Sequence, residues 1–185
     1  MLLGKSGVGK SAAGNTADSN GDSATTDCEI QDTKIDRCHV VVTDTPGFFN
    51  TRLTMDEVIS KIRECIHTTS GPHVFLVVVE IGNFNCDDQQ MVEIIKNMLG
   101  EKVTKHMIFL FTHGENLRDK NIKQFVKSAN KDLKNLLQMC NDRYHVFNDI
   151  TIRYPLALEL FRKIDQMMVE IGERCYKDYK NRRKK

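Results

Sequence analysis

Apolar and polar residues follow two rhythms along this chain, and the places where the rhythm changes mark its elements. Continuous apolar runs at Val74-Phe75-Leu76-Val77-Val78-Val79 and Met107-Ile108-Phe109-Leu110-Phe111 are each bounded by polar residues. They predict parallel strands buried on both faces. Elsewhere the apolar spacing lengthens to three and four. Met55, Val58, Ile59, Ile62 and Ile66 predict a helix behind a capping box at Thr54-Met55-Asp56-Glu57, with Gly71-Pro72 breaking it. Met91, Ile94, Ile95, Met98 and Leu99 predict a helix closed by Gly100, and Ile122, Phe125, Val126, Ala129, Leu133, Leu136 and Leu137 a single long one. Tyr144–Phe147 predicts a short last strand and Leu158–Ile171 a closing helix. Nearer the start, Cys28–Gln31 and His39–Thr43 read as two strands joined by a hairpin over Asp32–Arg37. Met1-Leu2-Leu3 is apolar but short for a whole strand, so either the chain starts inside its first strand or it lacks the usual beginning. Strands alternating with helices predict a three-layer α/β fold: a mostly parallel sheet with one antiparallel strand and helices on both faces. No linker, internal repeat or second domain interrupts the pattern.

Between the first apolar residues and the first polar stretch lies Gly4-Lys5-Ser6-Gly7-Val8-Gly9-Lys10-Ser11, which fits G-x-x-x-x-G-K-[ST] at every fixed position. This is the pattern of a phosphate-binding loop. Its glycines let successive N–H groups point at a β-phosphate, Lys10 brings a charge to the β/γ oxygens, and the Ser11 hydroxyl ligates Mg²⁺. The helix opening there, with Ala12, adds a positive dipole end. That helix is expected to be short, because Thr16–Ser23 is polar and turn-forming. At the end of the His39–Thr43 strand stands Asp44-Thr45-Pro46-Gly47, a D-x-x-G sequence. Alone it reads equally as a strand-ending turn. After a phosphate loop it supplies the other end of one Mg²⁺ site, with Asp44 reaching the ion directly or through water and the Gly47 amide sensing a γ-phosphate. Thr25 and Thr26 are the candidates for a threonine that closes onto Mg²⁺. A guanine base requires a carboxylate to accept from its N1–H and amine. Glu115, in Thr112-His113-Gly114-Glu115 after the second buried strand, is placed for this, and Asn148 follows the next strand. By itself Glu115 is a solvated loop charge.

Taken together, Gly4–Ser11, Asp44–Gly47, Thr112–Leu117 and Ser70-Gly71-Pro72-His73 before a Val-rich strand resemble a GTPase of the immunity-associated protein (GIMAP) family, an AIG-type G domain of the septin-like P-loop GTPases. The box from Gly71 to Asp88 is the most telling part, and the closing Gly172-Glu173-Arg174-Cys175-Tyr176 also resembles the family's end of domain. The resemblance covers nearly the whole chain and implies an AIG-type G domain over 1–176. It implies a GTP/GDP switch with Mg²⁺ that associates with a second copy through its nucleotide face, and a cytoplasmic location, peripheral on intracellular membranes. Carried over by position, the nucleotide is held by Gly4, Lys5, Ser6, Gly7, Val8, Gly9, Lys10, Ser11, Ala12, Gly47, His113, Gly114, Glu115 and Asn148. Mg²⁺ is held by Ser11, Thr25 and Asp44. His113 then either stacks on guanine or is a plain loop histidine.

The departures from the family pattern bear on activity. Glu115 stands where members usually carry aspartate, the segment between Lys10 and Asp44 is short, and Asn83 occupies the place of an arginine that some members use across a dimer. Phe48-Phe49 follows Gly47, and neither residue can orient a water. Lacking a water-positioning residue and an arginine finger removes terms worth about 10³–10⁵ in rate. Slow or partner-dependent hydrolysis is therefore expected. Two other classes stay open: a nucleotide-insensitive interaction protein with a degenerate G domain, and a P-loop enzyme that uses ATP or does not select its base.

Composition changes this picture little. The 185 residues, 40% hydrophobic and 28% charged with a net charge of +2, suit one globular domain. Six cysteines without a C-x-x-C pair, and with no signal peptide ahead of them, read as reduced thiols rather than a disulfide frame or zinc site. His39, His67, His73, His106 and His145 show no ligand spacing. The longest apolar run is far too short to cross a bilayer. The segment 177–185 is a basic tail, read as a solvated helix end, a connection to a further segment, or a contact with an anionic membrane. No aromatic platform accompanies its charge, so nucleic acid is not an expected partner.

Overall fold

A computed structural model describes residues 1–14, 25–35, 38–69, 72–147 and 153–172. Its strands are β1 (Leu2–Gly4), β2 (Glu29–Ile35), β3 (Cys38–Asp44), β4 (Phe75–Glu80), β5 (Met107–Thr112) and β6 (Tyr144–Val146). They form one sheet in the order β2-β3-β1-β4-β5-β6, in which only β2 runs antiparallel to its neighbour. The helices are α1 (Lys10–Gly14), α2 (Met55–Thr68), α3 (Cys86–Leu99), α4 (Ile122–Ser128), α5 (Lys131–Met139) and α6 (Arg153–Ile171).

Because successive strand residues point to opposite faces, the apolar runs feed two cores. Leu3, Phe75, Val77, Val79, Phe109 and Phe111 pack against Val58 and Ile62 of α2, Met91 and Ile95 of α3, and Leu133 and Leu137 of α5. Leu2, Val78, Ile108 and Leu110 pack on the other face against Leu160 and Met167 of α6, with Ala13 of α1 beside them. This is the three-layer α/β fold that the alternation predicts. Parallel β1, β4 and β5, together with β3, bring their carboxyl ends to one edge, where Gly4, Asp44 and Thr112 lie.

Local chemistry sets the boundaries. Thr54 and Glu57 form the reciprocal capping box at the start of α2, as expected. Helix α3 begins earlier than its apolar residues suggest, because Asn85 and Asp88 form a second box. The hairpin connection is tighter than expected: β2 and β3 are paired from Glu29–Asp44 to Ile35–Cys38, so most of Asp32–Arg37 belongs to strand. The single long helix expected over Ile122–Leu137 is two helices. Ala129 adopts extended backbone (ψ 158°), and the Asn130 side chain accepts from the Leu133 amide at 2.9 Å, starting α5 afresh.

The thiol expectation also needs correcting. A disulfide joins Cys28, just before β2, to Cys65 on α2, across 37 residues of sequence. The turn into β2 carries Cys28, half-buried against the core, to α2, which spacing along the chain does not show. Cys86 is free and exposed; Cys140 is free and buried, and burial pushes its thiol up to about 12. Among the described residues, no helix is long and apolar enough to cross a membrane. Asn148, the 177–185 tail and Glu173–Tyr176 lie outside the described residues.

Candidate functional site

Strand β1 ends at Gly4, and the chain turns through Lys5–Gly9 into α1. Gly9 has φ +82°, a left-handed conformation that glycine adopts without a Cβ penalty. The turn is zipped to the Asp44–Gly47 segment by the Ser6 N–H donating to the Phe48 carbonyl and the Phe48 N–H donating to the Gly4 carbonyl, each at 3.0 Å. Gly47 lies so close beneath the loop that a Cβ there would stand 2.6 Å from both Cα and N of Ser6. Two buried hydroxyls add to the frame. Thr45 donates to the Leu2 carbonyl at 2.7 Å and Thr112 to the Val8 carbonyl at 2.9 Å.

Lys10 is 6% exposed and donates its ammonium to the Lys5 carbonyl at 2.9 Å. Burial pushes its pKa down to about 8, against the opposing pull of Asp44. A buried cation held by a backbone carbonyl is a charge ready for an anion.

Beside it is an oxygen cluster. The Ser11 hydroxyl donates to Asp44 Oδ2 at 2.5 Å and lies 3.3 Å from the Thr25 hydroxyl. Of the two threonines proposed from sequence, Thr25 is the one beside Ser11. Asp44 is 6% exposed, and its Oδ1 is buried without a hydrogen-bond partner among the described residues. Leaving a buried carboxylate oxygen unmatched is costly, and a hard divalent cation matches it. The two hydroxyls and the carboxylate therefore fit Mg²⁺.

The second cluster follows β5. His113 has left-handed backbone (φ 56°, ψ 47°), and the Gly114 N–H donates to the Phe147 carbonyl at 3.2 Å. His113 Nδ1 lies 3.1 Å from Glu115 Oε1, with both side chains about one-third exposed. The Glu115 backbone amide, and after it His113, hold that carboxyl below the usual range. Asn116 anchors the turn by donating to the Ile81 carbonyl at 3.3 Å.

The fold thus gathers Gly4, Lys5, Ser6, Gly7, Val8, Gly9, Lys10, Ser11, Thr25, Asp44 and Gly47 at one place, Ala12 lies in α1, and His113, Gly114 and Glu115 follow β5 at the same sheet edge. Phe48 is fully buried in the core. Three supporting residues escape sequence reasoning. Asn50, 7% exposed, donates to the Thr25 carbonyl at 3.4 Å and accepts from the Arg52 amide at 2.7 Å. Asn85 and Asp88 both accept from Lys5. Their N-x-x-D spacing is a legible capping signal, but nothing local announces the lysine.

The model of the AIG1 family matches residues 1–185. Human GTPase IMAP family member 8 is 33% identical over 124 residues, covering 65% of this chain and 18% of that protein. Immune-associated nucleotide-binding protein 9 of Arabidopsis thaliana is 27% identical over 145 residues, covering 76% of this chain and 42% of that protein. The chain thus spans less than half the length of these curated relatives. A dimerization-deficient mutant of Toc33 from Arabidopsis thaliana superposes with a TM-score of 0.69 at 15% identity, covering 94% of this chain and 84% of that one. Toc33 in complex with Mg²⁺ and GMPPNP gives 0.64 at 14% identity over the same shares. At such identity these likenesses show the fold alone, the three-layer P-loop NTPase fold. With the family model matched from end to end, the chain belongs to the AIG1 family.

Proposed function

We propose that this chain is a guanine-nucleotide switch that binds GTP or GDP with Mg²⁺ and hydrolyses GTP slowly or only with a partner. The observation that carries the reading is the Ser11–Asp44–Thr25 oxygen cluster with its unmatched buried Oδ1, placed under a phosphate loop whose lysine is already desolvated. Mg²⁺ would be held by Ser11, Thr25 and Asp44 and would neutralise charge on the β and γ oxygens. The loop amides and Lys10 bind the phosphates. The Gly47 amide senses the γ-phosphate, and Thr25 closes on the triphosphate form. Glu115 accepts from guanine, with His113, Gly114 and Asn148 completing the base side.

Support comes from relatives named as GTPases and nucleotide-binding proteins, and from the Mg²⁺ complexes of Toc33 with GMPPNP and GDP. A neighbour's dimerization is described as important for GTPase activity, which supports self-association through the nucleotide face. We place the chain in the cytoplasm, peripheral on an intracellular membrane surface. Calorimetry with GDP, a GTP analogue and ADP is the test. Heat with the guanine nucleotides alone is expected; no heat with any would make the chain an inert interaction domain, and equal heats a base-unselective enzyme. With GTP and Mg²⁺, phosphate release over minutes should be slight, and several turnovers per minute without a partner would overturn slow hydrolysis.

A further inference from the structure

Helices α2, α3 and α4 all open with a capping box, with Glu57, Asp88 and Gln124 in the third position. Glu57 and Gln124 are exposed. Asp88 is different, with a side chain only 1% exposed. A capping box asks of this residue only an acceptor for the amide of the cap residue, and the neutral Gln124 meets that need in α4. In α3 the amide of Asn85 is met by Asp88 Oδ2 at 2.9 Å, while Asp88 Oδ1 is buried without a hydrogen-bond partner among the described residues. A carboxylate is therefore buried where an amide would serve the helix as well and bury no charge. Only a cation offsets that burial.

The cation is Lys5. Its Nζ lies 3.0 Å from Asp88 Oδ2 and 3.1 Å from Asn85 Oδ1, and its side chain is 13% exposed. Lys5 is the second residue of the phosphate loop. Its backbone bridges to Phe48 in the segment after Gly47, and its carbonyl accepts from the Lys10 ammonium at 2.9 Å. One line of contacts therefore runs from the first turn of α3, through the Lys5 side chain and carbonyl, to the charge that would meet the phosphates.

We infer that Asp88 is a positioning residue for nucleotide binding, acting through Lys5 to hold the first turn of the phosphate loop. This rests on the nucleotide-binding reading above. The helix needs only the cap acceptor, which Asp88→Asn keeps while removing the charge, so the substitution separates the two roles.

The experiment measures affinity and dissociation of a fluorescent GDP in the presence of Mg²⁺ for the wild type, Asp88→Asn, Lys5→Met, the double variant and Asp87→Asn, with thermal melting of each. Asp88→Asn and Lys5→Met should each weaken GDP about tenfold, mainly through faster dissociation. The double variant should be no weaker than the worse single one, because both changes cut the same line. Asp87→Asn, which removes an exposed carboxylate from the same turn, should leave affinity unchanged. Affinity unchanged in Asp88→Asn despite a lowered melting temperature, or multiplying losses in the double variant, overturns the inference. Should Asp88→Asn fail to fold, Lys5→Met keeps the cap intact and decides the matter: unchanged affinity there overturns the inference. A wild type that binds no GDP sinks the nucleotide reading and this inference together, whereas a binding wild type with an unaffected Asp88→Asn sinks this inference alone.

Discussion

At the end of the site proposed to hold phosphates, Lys10 is 6% exposed, Asp44 equally so, and Gly47 lies too close to Ser6 to admit a Cβ. At the end proposed to hold the base, His113 and Glu115 are each about one-third exposed and face one another across 3.1 Å. Buried groups have few alternatives, and losing one partner leaves another uncompensated. Exposed charge pairs trade easily with water. Under the proposed function, the contrast implies that affinity is set largely by the phosphates and that the choice of base is a smaller, more easily altered quantity.

The most severe test removes the charge at the buried end. Lys10→Ala should weaken GDP by about a thousandfold, near 4 kcal/mol, as measured by calorimetry; a loss below tenfold would erase the contrast. Next in size is the Cys28–Cys65 disulfide, which ties the stretch after Thr25 to α2 and is reinforced by a Lys61–Asp27 ion pair. Opening a closed loop of 37 residues should cost about 3–4 kcal/mol of stability by chain entropy. Denaturant titrations with and without reductant would read it, with Cys65→Ser insensitive to reductant.

Acid should act through β6, the neighbour of β5 in the sheet. Burial, and after it Lys163, push His145 down to about 4, so the folded protein keeps it neutral. The unfolded chain takes up a proton near pH 6.5, so stability is unaffected above that pH. It should fall by about 3 kcal/mol as pH drops from 6.5 to 4. Urea midpoints across that range check this, and His145→Gln should flatten the slope. The smallest effect is expected at Glu115. Glu115→Gln should reduce the preference for GDP over ADP roughly tenfold to a hundredfold, while binding of pyrophosphate stays the same. A fall in pyrophosphate binding would mean that the two ends are not separable.

How much of this was legible in the sequence differs by residue. The adjoining turns of Gly4–Ser11 and Asp44–Gly47 were readable because they rest on local backbone geometry, which glycine and a fixed spacing encode. Val74–Val79 and Met107–Phe111 were readable because strands buried on both faces have no polar positions. The Asn130 break was hidden, since Ala129, Leu133 and Leu137 keep helical spacing across it and the capping asparagine resembles any polar residue on an exposed face. Cys28–Cys65 and Lys5–Asp88 were hidden for another reason. Each pair depends on how an element packs on the sheet, and separations of 37 and 83 residues leave no local trace.

The break at Ala129 also divides the molecule in time. Helix α4 has no fully buried side chain, whereas α5 buries Leu133, Leu136 and Leu137. With Asn130 supplying an independent start, α5 does not need its predecessor to stay formed. Amide protons of Ile122–Ser128 would therefore exchange with solvent through a local opening that leaves those of Leu133–Met139 protected. Equal protection of the two helices would show instead that the contacts of Phe125 with Phe111 hold α4 to the core as firmly as α5.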